Sequence, residues 1–428
     1  MQLTNRDYFD KIKKISKGAN TMKKSLLREY ARLIVRTGAN VQKGQEVMIY
    51  ADLDQPEFVQ LVAEEAYKAK AKKVIVEWNY QPLAKIHARY QTVKTLGSVP
   101  QWQIARRQHM VDTVPCRIHL ISDDPDGLKG MNMEKVAKAR QLSYPILKPY
   151  SDQLDGVQQW CIAAVPGAAW AKKVFPGCSR HQAVEKLWEA ILSTSRVAED
   201  PVAAWEKHNA DLKARCDYLN SLGIESLHYT ADNGTDLTVG MMPQARFCGG
   251  AEVSKRGITF NPNIPTEECF ITPMKGKAEG IVYSTKPLSY QGQLIDNFSF
   301  RFENGKIVEA KAEKGEALLN TLINMDEGAS YLGECALVPQ ASPICESGLL
   351  FYNTLFDENA ACHLAIGRGF VDTIEGYFDL TVEQCREMGM NDSMIHEDFM
   401  IGCDTMNIDA KTRDGKVIPI FRNGNWAF

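Results

Sequence analysis

The segment 45–78 most narrowly limits how this chain can fold. QEVMIYADL is a strand-like apolar run after the Lys43-Gly44 turn, PEFVQLVAEEAYKAKA reads as a helix, and KKVIVEW is a second short strand. Pro56 falls in the first helical turn, where it is tolerated, and Phe58, Leu61, Val62, Ala66 and Ala69 form one apolar stripe. Strand-helix-strand connections of this kind give parallel sheets. RIHLISDD and QQWCIAAVPG repeat the short apolar strand that runs into a polar or glycine-containing loop. Helices are expected over 24–36, 133–140 and 181–196. Residues 24–220 therefore read as an α/β domain with a largely parallel sheet. No GxGxxG or P-loop follows any of its strands, so nucleotide binding finds no support.

After a helix expected over 203–222 the texture changes. Asn233-Gly234 sits between alternating residues, as a hairpin turn should. Phe298, Phe300 and Phe302 alternate before Asn304-Gly305, and Asp414-Gly415 and Asn423-Gly424 punctuate the tail in the same way. Residues 221–428 thus read as a mixed α+β domain rich in antiparallel hairpins, with helices near 314–324 and 359–369. Residues 1–23 are basic and amphipathic without a continuous apolar core, which suggests an N-terminal extension rather than a secretion signal.

Composition narrows the partners. A net charge near -3 and a pI near 6.3 give no case for nucleic acid, and no apolar run approaches membrane-spanning length. Eleven cysteines, dispersed and without metal-ligand spacing, fit a reducing cytoplasm better than a disulfide framework. Cys269, Cys335 and Cys362 read as small buried thiols. His87, His109, His119, His181 and His208 read as surface or core residues.

The chemistry gathers between residues 334 and 398. In MIHEDFMIG, read as a strand, His396 and Asp398 share a face. LFDENAACHLAIGRGF reads as a helix entered through Asp357, Glu358 and Asn359, with His363 in its first two turns and Phe370 about 20° from the same face. Glu334 in LGECALVPQ and Glu267 and Glu268 in NPNIPTEECF lie among apolar residues, where a carboxylate must be hydrogen-bonded, paired or coordinated. Imidazole beside carboxylate suits Zn, Mn or Co, and several carboxylates with two histidines suit a pair of divalent ions. The spacing follows no short metal motif such as HExxH. A helix cap, a buried ion pair and a core histidine in unrelated places would use the same residues.

NPNIPTEE, STKPLSYQG, GECALVP, SGLLFYNTLFDENAACHLAIGRG and HEDFMIG occur in this order. With RLIVRTGANVQKGQEVMIYAD, they resemble the thermophilic metallo-aminopeptidase family from about residue 24 to the C-terminus. The resemblance implies a cytoplasmic, homodimeric exopeptidase that releases the N-terminal residue of short peptides with a metal-activated water. It implies Glu268, Glu334, Glu358, His363, His396 and Asp398 as ligands of two divalent ions (Zn, Co, Mn or Mg), with Glu334 as a proton shuttle. Glu358 fits the expected helix poorly, about 140° round from His363.

Phe370 departs from the family, which has an active-site tyrosine seven residues after the histidine of this block. Tyr352 or Tyr377 would have to supply the missing hydroxyl. The departure keeps two alternatives open: a hydrolase of another small amide, or a catalytically impaired dimer that binds metal and peptide. Ligand imidazoles must be neutral, so activity is expected to fall below about pH 6.5.

Overall fold

The computed structural model describes residues 20–198, 200–290 and 292–428. The expected extension therefore lies, up to residue 19, outside the described residues.

Five parallel strands form the first sheet, in the spatial order Lys73–Asn79, Glu46–Asp52, Cys116–Ile121, Trp160–Ala164 and Asn263–Ile264. Val47, Ile49, Ile118 and Leu120 bury one face in a core shared with Phe58, Val59 and Val62 of the helix Pro56–Lys68. Helices over Arg180–Thr194 and Pro201–Ser221 lie close to their expected positions. The helix expected over 133–140 runs on to Leu154 through Pro145 and Pro149. It is held from outside: Arg140 donates to the Met394 carbonyl and the Tyr144 hydroxyl to the Ser393 carbonyl.

The antiparallel half forms a nine-stranded and a four-stranded sheet. Asn233-Gly234 joins Ile224–Thr230 to Asp236–Met241, and Asn304-Gly305 joins Gln293–Glu303 to Lys306–Lys314, as expected. Phe298, Phe300 and Phe302 alternate into a core that also contains Cys335, Leu364, Ile366 and Phe399 of the smaller sheet. The order there is Cys269–Ile271, Leu332–Leu337, His363–Gly367 and His396–Met400, with antiparallel neighbours throughout.

The expected helix over 359–369 is thereby overturned. Only one turn, Thr354–Asp357, is α-helical; a 3-10 turn follows over Glu358–Ala360, and His363–Gly367 is a strand. All five of its residues are buried, so it carries no polar face to betray a period of two. A short apolar run of this kind reads equally as buried helix or buried strand. Hydrogen-bonding partners on both sides decide it, since the Leu332–Leu337 and His396–Met400 strands complete its ladder.

Candidate metal centre

Register alone brings the chemistry together. Glu334 stands opposite Ala365, and Ala365 opposite Asp398. His363 and His396 each lie two residues from that row, so all four polar side chains leave the same face of the sheet. Glu268 joins them from the edge, two residues before Phe270, whose partner Ala336 also faces His363. The opposite face carries Cys335, Leu364 and Phe399 into the core.

His363 Nε2 lies 3.1 Å from Glu268 Oε2, and His396 Nε2 lies 3.1 Å from Glu334 Oε2 and 3.2 Å from Asp398 Oδ1. Two donor groups result, Glu268–Glu334–His363 and Glu334–His396–Asp398, with Glu334 common to both. Each histidine is oriented from behind: Nδ1 donates to the Ala361 carbonyl at 3.2 Å in His363 and to the Arg368 carbonyl at 2.6 Å in His396. That leaves both Nε2 atoms turned to the carboxylates, the arrangement metal-binding imidazoles use. Gly367 makes the second anchor possible. Its φ of +101° is open to glycine, and a Cβ there would sit 2.2 Å from the Ile395 carbonyl oxygen.

Asp398 Oδ1 is buried without a hydrogen-bond partner despite its nearness to the ring. An orphaned carboxylate oxygen beside a fixed imidazole nitrogen fits a divalent cation, and the oxygen-rich, imidazole-containing donor set fits Zn, Mn or Co.

Electrostatics point the same way. Burial pulls His363 down, but the hydrogen bond and charge of Glu268, with Glu334 and Asp398 behind, raise it to about 10. Burial likewise opposes His396, yet Asp398 and Glu334 hold it well above the usual range. Burial pushes Glu334 up to about 7 against its bond from His396. Burial also raises Asp398, but His396 outweighs it and keeps that carboxyl low. Protons thus sit where a cation of greater charge can replace them.

Glu358 is buried nearby but belongs to neither donor group. Burial first, then the charges of Asp398 and Glu268, push it well above the carboxylate range. Leaving a 3-10 turn instead of a helix, it escapes the angular objection raised by the sequence. Glu267 turns away from this group to a bidentate pair with Arg196, at 2.6 and 2.9 Å. His208, a core histidine, donates to the Thr266 carbonyl at 2.7 Å.

Phe370 does face the site, though from an extended position just before a 3-10 turn rather than from a helix: its ring lies 4.5 Å from that of His396 and 5.5 Å from Phe270, centroid to centroid. Tyr377 donates its hydroxyl to the Val253 carbonyl at 2.7 Å. The Tyr352 hydroxyl has no hydrogen-bond partner among the described residues. Its backbone sits in the left-handed region, φ +54°, a conformation that costs a non-glycine residue about 1–2 kcal/mol. Asp357 enforces it by accepting from Phe351 N at 2.9 Å and Asn353 N at 3.0 Å, one residue on either side. Nothing in the local sequence marks this turn beyond an aspartate placed to bond backbone amides upstream.

Tyr352, Tyr377, Phe370 and the donor groups line one cavity of about 840 Å³, which also reaches Asn79 and Ile121 at the ends of parallel strands. That volume accommodates a short peptide. No described helix is long and apolar enough to cross a membrane.

Comparison with known proteins places nearly all of the chain. The family described as thermophilic metalloprotease (M29) matches residues 23–426. Aminopeptidase AmpS of Bacillus subtilis is 44% identical over 404 residues, covering 94% of this chain and 98% of that protein. Aminopeptidase T of Thermus aquaticus is 39% identical over 402 residues, with the same coverage. Wild-type AmpT from Thermus thermophilus superposes with a TM-score of 0.85 at 38% identity, covering 95% of this chain and all of that one.

Proposed function

The chain belongs to the thermophilic metalloprotease (M29) family and is a metal-dependent aminopeptidase, and from that premise we propose that Glu268, Glu334, Glu358, His363, His396 and Asp398 are its catalytic centre. Two divalent ions, one per donor group with Glu334 shared, are the occupancy this reading assigns. The observation that carries it is the pair of donor groups meeting at Glu334.

These donors would hold divalent ions, whose chemistry when bound would be to acidify a water and polarise the scissile carbonyl. The chain's own groups do the rest. His363 and His396, tied at Nδ1, keep Nε2 directed at the centre. Glu334, common to both donor groups, would serve as a ligand, and Glu358, buried beside them and ionised by the ions' charge, would take a proton from the attacking water and return it to the leaving amine. Tyr352, with its uncommitted hydroxyl and strained backbone, is the donor to the developing oxyanion in place of the tyrosine that Phe370 displaces.

The substrates are short peptides with a free amino end. A reducing cytoplasm is supported by eleven cysteines that are all free thiols. A homodimer is supported by the exposed apolar side chains Leu83, Ile86, Tyr90 and Trp102. A division at 24–220 and 221–428 is supported by the change from parallel to antiparallel pairing, although Asn263–Ile264 returns to the parallel sheet.

The test is release of amino acids from dipeptides and tripeptides after the metal is stripped and Zn, Mn, Co or Mg is restored singly. Metal-restored release from free but not N-acetylated peptides, abolished in His363→Ala, is expected. Undiminished turnover by His363→Ala would overturn the assignment of the centre.

A further inference from the structure

The cavity that holds the donor groups extends over one face of the parallel sheet, where Arg117 and Ile121 of one strand lie beside Trp160 and Ile162 of the next. Strand alternation puts Arg117 on the face opposite the Ile118 and Leu120 core. It forms no ion pair among the described residues, and its Nε is buried without a hydrogen-bond partner. Burial and the charge of Arg107 disfavour its protonated form, while Tyr50 and Asp155 favour it. Asp155 is already committed to Arg368, with which it is in direct contact. A guanidinium that lines a cavity with unused donors is poised for an anion, and its planar fork matches a carboxylate.

The remaining cavity is acidic. Asp123, Glu252 and Asp372 line it together with the donor groups. A peptide with both ends free brings an ammonium suited to these carboxyl groups and a carboxylate that finds no cation among them. Arg117 is the lining residue chemically suited to that carboxylate.

We propose that Arg117 anchors the C-terminal carboxylate of the substrate and selects peptides short enough to reach from the metal centre to this side chain. The proposal rests on the reading that the shared-Glu334 groups are the catalytic centre. It makes the protein a processor of free short peptides, the class that upstream endopeptidase cleavage supplies.

The experiment compares kcat/KM for di- to pentapeptides with matched C-terminal amides, in the metal-loaded wild type, Arg117→Gln and Arg117→Lys. At the favoured length the wild type is expected to prefer the free acid by about ten- to a hundredfold, the range of a charge-assisted hydrogen bond. The ratio should fall close to unity in Arg117→Gln and be partly kept in Arg117→Lys. A wild-type ratio near unity at every length overturns the proposal, and so does a variant that loses acid and amide turnover equally. If Arg117→Gln fails to fold, the wild-type ratio and Arg117→Lys still decide. Failure of the underlying centre reads out separately, through His363→Ala.

Discussion

Arg196→Met tests whether the ion pair behind the centre holds the Glu268 segment in place. Arg196 and Glu267 meet through two contacts of 2.6 and 2.9 Å, with side chains only 16% and 7% exposed. Removing the cation strands a buried carboxylate. His208, 3.9 Å from it, replaces the lost charge poorly: burial is the largest cause holding its imidazole down at about 4, and burial persists once Arg196 is gone. Breaking a buried pair in this way typically costs about 3–5 kcal/mol.

Protonation of the stranded carboxylate sets a ceiling. The stranded glutamate can escape by taking up a proton, which at pH 7, roughly 2.7 units above an ordinary glutamate pKa, costs about 3.7 kcal/mol. The expected loss is therefore about 3–4 kcal/mol at pH 7. At pH 5 the same route costs only about 1 kcal/mol, so the penalty should shrink as pH falls. Urea unfolding of wild type and variant at both pH values measures it, and Arg196→Met/Glu267→Gln should recover much of the loss. A penalty below about 1 kcal/mol at pH 7, or one that does not shrink at pH 5, refutes the reasoning.

Tyr352→Phe should lower kcat by about a hundredfold or more, the usual loss of one oxyanion donor, whereas Tyr377→Phe, whose hydroxyl serves the Val253 carbonyl, should spare kcat; equal effects would reject Tyr352. Glu358→Gln should lower kcat by about 10²–10⁴-fold while leaving metal stoichiometry unchanged, as elemental analysis beside steady-state kinetics would show. Because His363 is held at about 10 and His396 is raised as well, both keep a proton at neutral pH that a metal must displace. Apparent metal affinity should then climb between pH 6 and pH 10, by up to about tenfold per unit for each proton released. At limiting metal the acid limb should lie above the 6.5 of an ordinary histidine, and added metal should move it downward; calorimetry in buffers of different ionisation enthalpy counts the protons.

Much of this protein is legible in its sequence because short-range rules dominate there. The strand-helix-strand run at 46–79 and the Asn-Gly turns at 233–234 and 304–305 are set by side-chain periodicity and turn chemistry, and the structure follows them. The pairing of His396 with Asp398 follows in the same way from strand alternation. His363 marks the limit. The residues that follow it in sequence are apolar and buried on both faces, so no period survives, and only pairing with two other strands makes that stretch a strand.

Tertiary structure alone decided the rest. Glu334 meets residues about 30 and 60 positions later because register aligns it with Ala365 and Asp398. Arg196 claims Glu267 and leaves Glu268 to the centre. Asp357 bends the chain at Tyr352, and Arg117, without an ion pair among the described residues, comes to line a cavity it shares with His363 and His396, distant in sequence. Such choices depend on which distant groups remain unpaired once the sheets close, and local periodicity carries no record of that.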